Sequence, residues 1–294
     1  MTLSDSELPG LFQSADRVSQ NQQLRFLRAS RLRLGLVVLA ALGGVYPISV
    51  PGRPEMDAAA IVTVLALVGA IVTELWLFIE QPEQGWYDGR ALAESAKTLG
   101  WRFAVRAVPF PADMAVAEAE RRLLDLLQGL MQDAQGTPIE PSAAPPISST
   151  MRSVRAAGLD RRRAVYLEQR VGDQARWYQR KARWNIERAR RWRLALLMLE
   201  AVGVVAALLR VVGIVKIDLA GVVAALIGAG VAWLATKQHA NLGRAYAYAG
   251  NELGLARTRL EAASEEHRWA QEVADAEEAI SREHTMWRAS RASH

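Results

Sequence analysis

The sequence predicts an all-α integral membrane protein, with four transmembrane helices arranged as two hairpins and long cytoplasmic helices attached to them. Three observations predict it: apolar runs of spanning length, basic residues gathered on one side of every run, and a repeated order of segments. A hydrocarbon core of about 30 Å is crossed by roughly 20 apolar residues at 1.5 Å each. The runs are Leu34 to Val50, Ala58 to Ile79, the 22 residues from Leu194 to Val215, and Leu219 to Ala235. Buried helices of soluble proteins alternate polar and apolar faces, and these runs do not.

The first 23 residues are polar and lack a basic start followed by an apolar core, so no cleaved signal peptide is expected and the first span must target the membrane. Residues 24–135 form the first hairpin and its following helices. A helical pattern covers Gly85 to Val108 and stops at Pro109 and Pro111, and a second covers Ala112 to Ala134. Residues 136–150 carry four prolines in TPIEPSAAPPISST and read as a linker between halves. Residues 151–264 then comprise a basic helix from Leu159 to Arg193 continuous with the third span, the second hairpin, and a helix whose Leu242, Tyr246, Ala249, Leu253, Ala256, Leu260 and Ala263 alternate by four and three. That seam packs against a partner helix of the same chain or of another subunit. Leu92, Ala96, Leu99 and Phe103 repeat it in the first half. Residues 265–294 form a charged C-terminal helix or tail, on which Glu265-Glu266 and Glu277-Glu278 read as solvated faces.

Charge sets the orientation. The flanks before spans one and three and after spans two and four hold 18 Lys and Arg, while the loops within the hairpins hold only Arg53 and Lys216. Basic flanks stay inside, which points both hairpins outward and leaves both termini cytoplasmic. The net charge of +5 conceals a local +10 between Arg152 and Arg193. Within that stretch Arg176, Arg180, Lys181, Arg183, Arg190, Arg191 and Arg193 are candidates for holding anionic headgroups or a nucleotide. Trp177, Tyr178 and Trp184 are interleaved with them and could stack bases, but the adjacent span favours lipid over nucleic acid.

The halves repeat one another. RASRLRLGLVVL (28–39) against RARRWRLALLML (188–199) gives seven identities in twelve, and GRALA (89–93) recurs as GRAYA (243–247) behind the paired spans.

Three charges lie within the apolar runs. A charge at the centre of a span costs roughly 2.5–3.5 kcal/mol, against about −0.3 to −0.6 for each Val, Leu or Ile, so the third span inserts even with two. Arg210 lies near the outer end, where its stem can lift the guanidinium to the interface. Glu200 and Glu74 fall at similar depth on the inner side. Each either pairs with a juxtamembrane arginine such as Arg193, stays neutral, or faces a wet path where repetition around an oligomer makes an acidic ring. Small residues four apart, Gly203 with Ala207 and Gly221 with Ala225 and Ala229, allow close helix approach.

No cysteine is present, which excludes disulfides and thiolate metal sites. The histidines at 239, 267, 284 and 294 lack ligand spacing, and no phosphate loop, HExxH or dinucleotide fingerprint occurs. No catalytic residue, cofactor or metal is expected.

GWYDGRALAESAKTLGWRFAVRAVPF (85–110), after the first hairpin, and RVGDQARWYQRKARWNIERA (170–189), before the second, resemble the SLATT family of two-transmembrane effectors. The resemblance covers most of residues 20–265. It implies a multi-pass protein of the bacterial cytoplasmic membrane, a homo-oligomer that forms a pore or disrupts the membrane in bacterial conflict and antiviral defence. A cytoplasmic sensor protein or nucleotide signal would be the trigger. The chain departs from the single-hairpin form by carrying two. A membrane-anchored interaction or scaffold protein, recruiting a partner through its cytoplasmic helices without conducting, is the alternative.

Overall fold

Glycine and proline decide where the first apolar helix stops. Helix α1 runs over Gly10–Gly43 and ends at the Gly43-Gly44 pair, because glycine is about 1 kcal/mol poorer than alanine in a helix interior. Pro47 follows, and the chain turns into a two-stranded antiparallel ribbon, β1 (Ser49–Val50) with β2 (Arg53–Asp57), joined through Gly52 at φ +80°. The expectation of a first spanning helix from Leu34 to Val50 is therefore corrected: helix covers 34–43 and the remainder is turn and ribbon. The computed structural model describes residues 2–289 of the chain. Among them, three helical runs are long and apolar enough to cross a membrane, Ala58–Ala104, Leu159–Val211 and Leu219–Ala262.

The other helices are α2 (Ala58–Glu80), α3 (Pro82–Ala104), α4 (Val116–Asp133), α5 (Ser149–Ala156) and α6 (Leu159–Tyr166), followed by α7 (Asp173–Val211), α8 (Leu219–Lys237), α9 (His239–Ala262) and α10 (Glu266–Ala289). A π-helical segment, Leu167–Gly172, joins α6 to α7. Residues 290–294 of the expected C-terminal tail, His294 among them, lie outside the described residues. The protein is thus nearly all-α.

Two helices that read as spans share a pair of terminal devices. Asp57 Oδ1 accepts the Ala59 amide at 2.9 Å at the start of α2, and Asp218 Oδ1 accepts the Gly221 amide at 3.2 Å at the start of α8. An N-cap carboxylate of this kind satisfies one of the four orphan amides of a first turn. At the other ends each helix stops at a left-handed glutamine, Gln81 (φ 43°) and Gln238 (φ 48°), and α3 and α9 start at the next residue. The duplication seen in the sequence extends to these caps.

The chain folds into two compact units, and they do not follow the order of its halves. Among the described residues, one comprises 2–23, 83–182 and 244–289; the other comprises 24–82 and 183–243. The first unit has a conventional core. The seam residues Ala249, Leu253, Ala256, Leu260 and Ala263 are buried in it, as are Leu92, Ala96 and Phe103. Tyr166 meets Trp101 and Trp269 edge to face, each at 5.8 Å, and the Trp269 indole donates to the Val105 carbonyl at 2.9 Å. The proline-rich segment joins this core too: Ile147 is buried, and the Gly10 amide donates to the Pro145 carbonyl.

The second unit shows the opposite pattern. Its apolar side chains face outward, with Phe78 75%, Ile79 73%, Leu65 64% and Met198 67% exposed. Its contacts use small residues. A Cβ on Gly43 would lie 2.8 Å from the Ala59 carbonyl oxygen, and one on Gly203 would lie 3.0 Å from Val223.

Candidate membrane and juxtamembrane sites

The second unit gathers the three charges of the apolar runs, Glu74, Glu200 and Arg210. Glu74, nearly three-quarters of the way along α2, is held by Arg33 of α1 at 2.8 Å. Below it Arg25 faces Glu80 at 3.6 Å and lies 5.3 Å from the Trp76 ring centroid. The juxtamembrane arginine that takes Glu74 thus comes from α1 rather than from α7. Arg210 pairs with Asp218 at 2.7 Å, tying the end of α7 to the carboxylate that caps α8. Glu200 is exposed and forms no ion pair among the described residues.

The small-residue candidates divide. Gly203 packs against Val223, whereas Ala207 is exposed and its neighbour Ala206 is the buried one. On α8, Val223 and Gly230 are buried; Ala225 and Ala229 are half-buried, and Gly221 faces its own cap, Asp218. The most deeply packed positions of α8 are thus Val223 and Gly230 rather than the Gly221, Ala225 and Ala229 that four-residue spacing selects.

Two cations lie near the Trp233 ring. The Arg31 guanidinium is 5.0 Å and the Lys237 ammonium 5.5 Å from its ring centroid. An aromatic ring attracts cations over its faces. Nearby, Arg188 lies over Trp184 at 5.4 Å, and Trp184 meets the His239 ring edge-on at 5.2 Å. His239 is buried and shares a 2.7 Å hydrogen bond with the Asn185 side chain.

The basic candidates fall into distinct groups. Arg176 pairs with Asp173 within one turn of α7, Arg191 pairs with Glu187, and Lys181 lies over Trp177 at 5.9 Å. Arg180, Arg183, Arg190 and Arg193 are exposed and form no ion pair among the described residues. They carry unbalanced positive charge. Of the aromatics interleaved with them, Tyr178 is buried and packs with Tyr246 and Trp177 in the core of the first unit, so it presents no face to a base.

A buried polar cluster in the first unit was not legible in the sequence. Glu277 of α10 is completely buried and accepts from Arg170 Nε at 2.9 Å and Nη2 at 2.8 Å, from Tyr166 Oη at 2.9 Å and from Thr98 Oγ1 at 2.9 Å. Its expected place on a solvated face is corrected: four donors replace the water that a surface carboxylate would keep. Glu266 is also engaged, with the buried Arg162. Arg170 belongs to the π-helical segment, a geometry that recurs at functional sites in helices. Arg155 is buried as well, and donates to the Phe103 and Phe110 carbonyls at 3.0 Å each. Burial, together with the charges of Arg106 and Arg162, pushes its pKa down to about 10, which leaves it charged at neutral pH.

Among the described residues, no group of three or more His, Cys, Asp or Glu side chains could hold a metal ion.

Residues 9–163 match the family model described as SMODS and SLOG-associating 2TM effector domain 3, and residues 166–287 match the one described as SMODS and SLOG-associating 2TM effector domain 1. The two matches meet within α6. No curated protein and no solved structure matches the chain.

Proposed function

The chain belongs to the SMODS and SLOG-associating 2TM effector family, two of whose domains it carries in tandem, and from that premise we propose that it is a pore-forming membrane effector. In this reading α1 with α2, and α7 with α8, are two hairpins that enter the bacterial cytoplasmic membrane, with both termini inside. Copies of the chain assemble side by side, and a cytoplasmic trigger opens a path for ions in a defence response.

The observation that supports membrane insertion is the outward apolar surface of the second unit. Phe78, Ile79, Leu65 and Met198 are exposed on helices of spanning length. Exposed contiguous apolar surface on this scale marks a membrane or protein contact. The observation that favours conduction is Glu200. The carboxylates of Glu74 and Glu80 face Arg33 and Arg25, and Asp218 faces Arg210, whereas Glu200 is exposed and forms no ion pair among the described residues. A carboxylate at membrane depth is expensive unless it reaches water or a partner. Repeated around an oligomer, it would supply a ring of negative charge that favours cations. Arg180, Arg183, Arg190 and Arg193 would hold anionic headgroups at the inner surface.

The test is ion flux from liposomes carrying the purified full chain. Triggered or constitutive cation flux, with selectivity over anions weakened by Glu200→Gln but preserved in Glu74→Gln, supports the proposal. Flux whose selectivity is indifferent to Glu200→Gln removes that residue from the path. Absence of flux under every trigger tried, with the protein inserted, favours the non-conducting anchor.

A further inference from the structure

The second unit holds an apolar groove of about 620 Å³ whose walls come from α1, α7 and α8. Its lining includes Gly35, Trp192, Leu196 and Ala229, and Arg31 and Trp233 close one end. Small residues shape it. A Cβ on Gly35 would meet nothing within 4 Å, while one on Gly230 would strike the Leu196 side chain at 2.7 Å. The groove is thus open beside Gly35 and floored beside Gly230.

We propose that this groove binds the acyl chain of an anionic phospholipid, whose headgroup phosphate is held by Arg31. The inference rests on the membrane placement of the second unit and not on conduction. Two features select this occupant, the charge at one end of the groove and the rings beside it. The lining stretches Arg31–Val38, Trp192–Leu199 and Leu226–Trp233 each rise through about 10 Å.

Arg31 is exposed and forms no ion pair among the described residues. Its guanidinium stacks on Trp233 at 5.0 Å, with Lys237 5.5 Å from the same ring, so positive charge is concentrated where the groove ends. Trp192 and Trp233 place that end at the depth where amphipathic rings prefer to lie, which is also the depth of a phosphate. A chain threaded past Gly35 would therefore carry its phosphate to Arg31 without a bend.

The experiment uses the full chain reconstituted in vesicles of phosphatidylglycerol and phosphatidylcholine, released in mild detergent and weighed intact by native mass spectrometry. Wild type should retain phosphatidylglycerol in preference to phosphatidylcholine. Arg31→Gln should reduce that preference about fivefold, the factor expected for one basic charge at an anionic surface. Gly35→Leu should expel both lipids while leaving subunit number unchanged, and it introduces no backbone clash. Retention unaltered by Gly35→Leu overturns the groove as the site. A preference unaltered by Arg31→Gln overturns the headgroup contact. A fall in subunit number in Gly35→Leu without loss of lipid assigns the groove to a second copy and refutes the proposal. Lipid retention without flux would sink the pore alone, and flux with retention unaffected by either variant would sink this inference alone.

Discussion

Removing the Glu277 carboxylate should destabilise the first unit far more than any surface charge change. In Glu277→Ala, Arg170 is left as a buried guanidinium with only 2% of its side chain exposed, and the Tyr166 and Thr98 hydroxyls lose their acceptor. Breaking a buried ion pair by deleting one partner costs about 3–5 kcal/mol, because the surviving charge keeps its desolvation penalty without its counter-charge. For a unit of this size each kcal/mol shifts Tm by about 2–4 °C, so a fall of roughly 6–20 °C is expected. The assay is thermal unfolding of the full chain in detergent, followed by near-ultraviolet circular dichroism. The ring cluster of Trp101, Tyr166 and Trp269 lies beside the pair and reports its loss. Arg170→Met combined with Glu277→Leu should recover part of the stability, since apolar replacement of both members of a pair is often neutral or better, while the Tyr166 and Thr98 hydroxyls still lack this acceptor. A single variant within about 1 kcal/mol of wild type, or a double variant no more stable than Glu277→Ala, would refute the reasoning.

Three further outcomes follow from local geometry. Gln238→Gly should raise thermal stability by about 1 kcal/mol, because glycine relieves the left-handed backbone at φ 48° between α8 and α9; a lower Tm would contradict it. Gly43→Ala should cost about 1–3 kcal/mol, since its Cβ would lie 2.8 Å from the Ala59 carbonyl oxygen, whereas Gly228→Ala, with nothing within 4 Å, should gain about 0.5–1 kcal/mol on the same unfolding assay. Asp218→Ala should cost more than Arg210→Gln, because it removes both the α8 cap, worth about 1 kcal/mol, and the ion pair, while the half-exposed pair alone contributes about 0–1 kcal/mol.

Features written in short-range pattern were legible in the sequence. Of the four-and-three seam, Ala249, Leu253, Ala256, Leu260 and Ala263 are buried while Leu242 and Tyr246 are half-buried, and of its counterpart in α3, Leu92, Ala96 and Phe103 are buried while Leu99 is half-buried. Apolar length identified α2 and the apolar parts of α7 and α8, and the tandem likeness of the halves corresponds to two family matches.

Features that depend on distant partners were not legible. Glu277 has the same local surroundings as a surface residue, and its burial follows from an arginine 107 positions away. Four-residue spacing marked Gly221, Ala225 and Ala229 as a stripe, but small residues occur all round α8, and it is the position of Val223 against Gly203 that fixes the packed side. The run to Val50 read as a helix because hydropathy does not register the Gly43-Gly44 break or the Ile48 amide, which Asp57 Oδ1 accepts at 2.9 Å.

Insertion of both hairpins from one side is the claim on which the functional reading stands, and the absence of native cysteine makes it directly measurable. Single cysteines at Arg53 and Lys216 should be labelled by a membrane-impermeant maleimide on intact cells, and single cysteines at Ala117 and Glu252 only after the membrane is opened. Labelling of Glu252→Cys in intact cells, or of only one of the Arg53→Cys and Lys216→Cys variants, would contradict the account.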